Sequence, residues 1–160
     1  MPVESAEFRR ALGQFASGVT IVTTRAPDGR PLGLTVSAFC SLSLDPPLIL
    51  VCIDKRSEST PAVLASGVFA VSLLAEDQEA LSQRFAARDA DRFAGLSPNG
   101  TSGLVTIPDA LAALECRLHA CHEAGDHVIW IGLVESARVR PGRPLLYHDR
   151  GYRRLAQDNP

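Results

Sequence analysis

Thr35, Ser37, Ser41 and Ser43 recur with strand spacing in the stretch LTVSAFCSLSLDPP and, with Phe39 between them, would share one face of an extended segment. Leu34, Val36, Ala38, Cys40, Leu42 and Leu44 would then form a wholly apolar reverse side. Serine is a poor strand former, and packing alone gives no reason to repeat it. A row of short hydroxyls beside an aromatic ring suits a flat, polar, aromatic ligand. Downstream, DKRSEST leads into PAVLA, where Thr60 can cap a helix and Pro61 can take its first position. The free N–H groups of that helix start, with the hydroxyls of Ser57, Ser59 and Thr60, would make an anion site built of several contacts of about 1 kcal/mol each. The plainer alternative is a capped helix following a polar loop.

Other reactive residues are weaker candidates. His127 follows Gly125 and Asp126 at the head of the apolar run VIWIGLV. It is either a solvated turn histidine or a ring whose N–H groups orient a ligand at a barrel rim. Cys116, His119, Cys121 and His122 have the types of a metal cluster. Strand alternation, however, sends Cys116 and His122 one way and His119 and Cys121 the other, so no metal site is expected. Gly95–Ser102 has the composition of a phosphate-binding loop but carries Thr101 where the lysine must stand. No G-x-G-x-x-G follows a strand, which argues against a Rossmann site. Ser37, His127 and Asp54 could in principle serve a hydrolase, but no nucleophile-elbow glycines surround any serine.

The elements that must position these residues follow from pattern. Ser5 can cap a helix whose Phe8, Ala11, Leu12 and Phe15 share a face. Val19–Arg25, Pro31–Thr35, Leu48–Ile53 and Val68–Leu74 read as strands, with a turn at Ala26–Gly29 and another at Asp45-Pro46-Pro47. Glu76–Ala87 reads as a helix and Arg88–Pro108 as a long loop. Ala113–Glu123 and His127–Arg140 read as a hairpin, and Pro144–Tyr152 as a last short strand pair. At least six strands joined mainly by short turns, with two or three helices, predict an antiparallel barrel of α+β class, mainly β.

At 160 residues the chain suits one domain spanning 1–160. A net charge of -2 without a basic block argues against nucleic acid. No apolar run approaches membrane-spanning length, and the N-terminus lacks a signal peptide's apolar core. Cys40, Cys52, Cys116 and Cys121 lie in apolar, strand-like contexts and read as buried free thiols, so a cytoplasmic protein is expected.

Taken together, FRRALGQFASGVTIVTT, GLTVSAFCSLSLDPPLILVCIDKRSEST, QRFAARDADRF, Gly125-Asp126-His127 and PLLYHDRGY resemble the flavin reductase family. These reductases serve two-component flavin monooxygenases. The resemblance runs from about Phe8 to Tyr152. It implies an FMN-binding split barrel, a homodimer, and reduction of FMN or FAD by NADH or NADPH for a separate monooxygenase. It implies flavin contacts at Thr35, Val36, Ser37 and Ala38, then Ser41 and Leu42, and then Cys52, Ile53 and Asp54 along the ribityl chain. Ser57, Ser59 and Thr60 would lie near the phosphate, with Arg84 and Phe85 closing from a helix. Gly125, Asp126 and His127, with Tyr152, would line the nicotinamide side, His127 orienting the nicotinamide and serving as the candidate catalytic residue. Arg138, Arg140 and Arg143 could meet a 2′-phosphate or simply be solvated. The same barrel could instead hold FMN tightly and act on another small substrate, or bind flavin without turnover.

Overall fold

The computed structural model describes residues 1–88 and 91–156; Asp89 and Ala90 of QRFAARDADRF, and residues 157–160, lie outside the described residues. Helix α1 (Ser5–Leu12) precedes the short strand β1 (Ser17–Gly18), the β-branched strand β2 (Thr20–Arg25) and strand β3 (Pro31–Val36). Strands β4 (Phe39–Leu44) and β5 (Pro47–Asp54), helix α2 (Ser59–Ser66), strand β6 (Val68–Leu73) and helix α3 (Glu79–Ala86) follow. The long strands β7 (Ala112–Ala124) and β8 (His127–Val139) form a hairpin, and β9 (Leu146–His148) and β10 (Gly151–Arg153) end the order. Every paired strand is antiparallel. The main sheet runs β3-β2-β6-β7-β8-β5-β4, and β1-β9-β10 form a small second sheet. The predicted antiparallel α+β architecture is therefore present.

The alternation of β2 sorts the core. Val22 points into the barrel with Val36, Val51, Ile53, Val71, Phe69 and Trp130, while Val19 and Ile21 face a second cluster with Leu74, Phe85, Ile107 and Leu145. The rings of Phe69 and Trp130 lie 5.5 Å apart. A Cβ at residue 132 would fall 2.5 Å from Phe69 Cζ, so Gly132 is the residue that lets this ring cross β8.

The hydroxyl strand departs from expectation. Pairing with β2 ends at Val36 and pairing with β5 begins at Phe39, because the chain passes here from one edge of the main sheet to the other. Cys52 N–H donates to Ala38 O at 3.0 Å, tying the crossing to β5. The break shifts the alternation by one residue. Phe39 consequently packs against the barrel core, Cys40 and Leu42 are exposed, and Leu44 is 95% exposed. A register shift between Ser41 and Ser43 adds a further irregularity. The single hydroxyl face is thus reduced to Thr35 and Ser37.

Other boundaries move for local reasons. Helix α2 starts at Ser59, two residues before Pro61, and shows no side-chain cap from Thr60. Glu76–Gln78 form a turn rather than helix, since the Gln78 side chain accepts from Ala75 N–H and donates to Pro108 O. The shift between Leu118 and Ala120 reverses alternation in β7. Cys116 and Cys121 both turn inward, and His119 and His122 are exposed. Among the described residues no cluster of metal-ligating side chains forms. Not every thiol is buried either: Cys40 is exposed, though all four cysteines are free. Helix α1 has no buried residue, leaving Phe8, Leu12 and Phe15 in solvent.

Candidate active site

Two strands meet at the head of the candidate site. Asp54, the last residue of β5, pairs in register with His127, the first of β8, and Lys55 N–H donates to Asp126 O at 3.0 Å. The hairpin turn that delivers His127 needs the left-handed backbone of Gly125, at φ 60°. His127 Nδ1 lies 2.7 Å from Asp126 Oδ1, which fixes the ring's orientation, and this bond is the main cause holding the Asp126 carboxyl below its usual range. Asp54 is gripped by Arg56: its side chain accepts from Arg56 N–H at 2.8 Å, Nε at 3.1 Å and Nη2 at 2.7 Å. The Arg56 side chain chiefly, then its backbone N–H, hold Asp54 well below the ordinary carboxylate range.

Beside this pair opens a cavity of about 660 Å³, whose walls include Thr35, Asp54, Arg56, Ser57 and Phe85. Two residues further along each strand, Ser37, Ala38 and Cys52 line a second cavity of about 570 Å³, with Phe15 and Tyr147 opposite. Thr35 and Ser37 share one side of their segment, and Cys52 and Asp54 one side of theirs. The two cavities share no lining residue but follow one another on the outer side of the same segments, as the two ends of a candidate trough. Its first end is polar and rich in arginine; its second has apolar walls at Phe15, Phe39, Leu50 and Tyr147, exposed backbone at Ser37 and Ala38, which lie off the strand ladder, and a charged side at Arg9, Asp149 and Arg150.

Several expected contacts can be made only through backbone. The side chains of Val36 and Ile53 are core, Ser59 is buried in the first turn of α2, and Phe85 is buried while it backs the wall of the first cavity. Among the described residues Thr60 Oγ1 is buried without a partner, and so is Arg84 Nε, while Arg84 Nη1 donates to Ala94 O at 3.2 Å. Ser41 and Leu42 stand exposed on the β4 edge, outside both cavities. Tyr152 braces instead of lining: its hydroxyl is 2.7 Å from the Oγ of fully buried Ser82, whose carbonyl accepts from Thr35 Oγ1 at 2.6 Å. Arg138, Arg140 and Arg143 are engaged with Thr106, Asp109 and Glu76, respectively.

The sequence reading missed Arg56, Arg88 and Arg92 as wall residues. Arg56 was legible as the cation two residues after Asp54. Arg92 clamps the Gly33 carbonyl at 2.8 Å and the Ala87 carbonyl, joining β3 to α3 across a separation that spacing does not reveal.

An isoalloxazine with its phosphate tail fits this donor set. Amides off the ladder suit a ring edge, apolar walls suit the ring face, and Arg56 with Ser57 suits the phosphate. A family described as the flavin reductase like domain matches residues 12–156. The reductase component of 4-hydroxyphenylacetate 3-monooxygenase from Thermus thermophilus is 46% identical over 149 residues, covering 92% of this chain and 95% of that protein. The FMN reductase (NADH) SmoA of Agrobacterium fabrum is 43% identical over 154 residues, covering 96% of this chain and 87% of its own length. Among solved structures, the NADH:FAD oxidoreductase of Streptomyces globisporus in complex with NAD and FAD fragments superposes with a TM-score of 0.90 at 37% identity, covering 97% of this chain and 94% of that one. The trough, the family match and these relatives converge, and the chain belongs to the flavin reductase-like family.

Proposed function

We propose that this protein is a flavin reductase that moves a hydride from NADH or NADPH to FMN or FAD and supplies the reduced flavin to a separate monooxygenase. The observation that carries this reading is the pairing of Asp54 with His127, which sets a candidate nicotinamide contact beside a trough whose two ends suit a flavin ring and its phosphate. The relatives named above support NADH as donor. When bound, the flavin supplies the hydride acceptor, so no side chain has to act as nucleophile. The chain's task is placement: the Ser37 and Ala38 backbone meets the ring edge, Arg56 and Ser57 the phosphate, and His127 the nicotinamide, at a reacting distance of roughly 3–3.5 Å. Titrating the protein with NADH under anaerobic conditions, first with FMN and then with FAD, should bleach the yellow absorbance at catalytic protein concentration. Persistence of the colour with both flavins would overturn the reading.

Because Ser59 is buried and Ser57 lines the cavity, the phosphate contact is assigned to Ser57. Ser57→Ala is expected to weaken FMN binding about 10-fold, the loss of one hydrogen bond to a charged group, and to leave riboflavin unchanged. Equal losses for both ligands would remove the assignment.

Residues 1–160 act in this reading as one domain and as a homodimer in the cytoplasm. The exposed Phe8, Leu12 and Phe15 beside the trough, with Leu42 and Leu44 of β4, support a covering second copy, and the four free thiols support a reducing compartment. Among the described residues no helix is long and apolar enough to cross a membrane. Leu12→Asp combined with Phe15→Asp is expected to shift the sedimenting mass from dimer to monomer. A wild-type protein that sediments as a monomer would refute the dimer.

A further inference from the structure

We propose that the groove beyond the phosphate end of the trough receives the adenosine monophosphate half of FAD, with Arg30 meeting its phosphate, so that this chain binds FAD more tightly than FMN. The inference rests on the flavin reading above. A third cavity, of about 310 Å³, shares Glu58, Arg88 and Arg92 with the cavity that contains Ser57. The two hollows are therefore contiguous, and a ligand leaving the Ser57 end passes directly into the third. Its lining combines apolar Pro31, Leu32 and Phe93 with three arginines, Arg30, Arg88 and Arg92, and two carboxylates, Glu58 and Asp91. Apolar surface beside an excess of arginine matches a nucleobase carrying a phosphate.

The arginines of this groove differ in how firmly they are held. Arg92 has Nε and Nη2 on the Ala87 carbonyl and Nη1 on the Gly33 carbonyl, so it is part of the wall. Among the described residues the Arg30 side chain makes one long contact, Nη2 to Glu58 Oε2 at 3.4 Å, between side chains that are 56% and 69% exposed. Such a pair is worth little in water and yields readily to a doubly bonded phosphate. Glu58 stands in both cavities and would repel each phosphate that passes; Arg30 offsets it.

NADH also carries an adenylate. The adenylate of FAD, however, is joined through a pyrophosphate to the tail that the Ser57 end would hold, which puts the adjoining groove within its covalent reach. The nicotinamide half is assigned to the His127 side.

The test measures dissociation constants of the full chain for FAD, FMN and riboflavin by quenching of Trp130, the only tryptophan. The Michaelis constant for NADH is measured in parallel with FMN as acceptor. Wild type should bind FAD more tightly than FMN. Arg30→Ala should weaken FAD about 5-fold and Arg30→Glu at least 10-fold, with FMN changed less than about twofold and the NADH constant unmoved. Arg30→Lys should recover part of the loss, and Glu58→Gln should tighten FAD by about 2–5-fold. Equal shifts for FAD and FMN would overturn the proposal, and so would a change confined to the NADH constant, which would give the groove to the dinucleotide. Failure of wild type to bind either flavin would bring down the flavin reading itself, and this proposal with it.

Discussion

Replacing His127 with alanine is expected to raise the Michaelis constant for NADH by about 10–100-fold while changing the flavin dissociation constant by less than about twofold. The range corresponds to about 1.5–3 kcal/mol, the cost of leaving a polar group of the bound nicotinamide without its hydrogen-bond partner. The asymmetry follows from position. His127 opens β8 directly across from Asp54, at the rim, whereas the flavin ring and phosphate are assigned to Ser37, Ala38, Arg56 and Ser57 on other segments. Its Nδ1 is engaged by Asp126, which leaves Nε2 as the ring nitrogen for an arriving ligand. His127→Asn, whose amide offers both a donor and an acceptor on a shorter side chain, should recover part of the loss. Asp126→Asn should show a smaller rise in the same constant, because it disturbs only the orientation of the ring. A parallel loss of flavin affinity in His127→Ala would mean that the residue merely supports the β5–β8 end, and the role assigned to it would fall.

How far these roles were legible in the sequence depended on whether local pattern or sheet closure decided the geometry. The hairpin of β7 and β8, the turn at Asp28-Gly29 and the strand pair ending at Arg153 are local events, and alternation with turn chemistry was enough to place them. Gly125-Asp126-His127 was legible for the same reason: a two-residue turn at fixed φ dictates where the histidine emerges. The hydroxyl row was misread because a barrel closes by passing its chain from one sheet edge to the other. The break at Ser37–Ala38 is imposed by partners far away in sequence, β2 on one side and β5 on the other. The inward turn of both Cys116 and Cys121 has a similar origin in an irregularity of the β7–β8 ladder. Arg92 carries no periodic signal at all; its meaning lies in the Gly33 carbonyl it reaches.

The loop at Gly95–Ser102 shows how composition can be right about chemistry and wrong about the ligand. Its amides do bind an anion, but the anion is the protein's own Glu115. Glu115 stands on β7, only 4% exposed, and its carboxylate accepts from Thr101 N–H at 2.9 Å, Ser102 N–H at 2.7 Å and the Ser102 hydroxyl. A Cβ at residue 100 would lie 2.8 Å from Glu115 Oε2, so Gly100 is what permits so close an approach. This anchor fixes the middle of the long loop, which then returns to the sheet through Thr23 Oγ1, donating to Val105 O at 2.6 Å, and Ser72 Oγ, accepting from Ile107 N–H at 3.0 Å.

Glu115→Ala is therefore expected to destabilise the fold by about 2–4 kcal/mol, since it removes the acceptor shared by three part-buried donors. For a chain of this size that lowers the melting temperature by about 10 °C. Glu115→Gln should cost roughly half as much, because its amide keeps one acceptor but points N–H at N–H. The pH dependence carries the sharper signature. Burial pushes the Glu115 carboxyl up, but the bonds from the Ser102 hydroxyl and from the Ser102 and Thr101 N–H groups together outweigh it and hold the group below the ordinary glutamate value of 4.5. A carboxyl lowered in the folded state contributes stability in full above its unfolded value, and that contribution is lost as pH falls through the folded one. Urea unfolding of wild type and Glu115→Gln should thus differ by a constant amount from neutral pH down to about 5, and the gap should narrow below about 4.5 as wild type loses its advantage. A gap that stays constant into acid would show that the carboxylate's charge contributes nothing, and that shape alone makes the loop depend on Glu115.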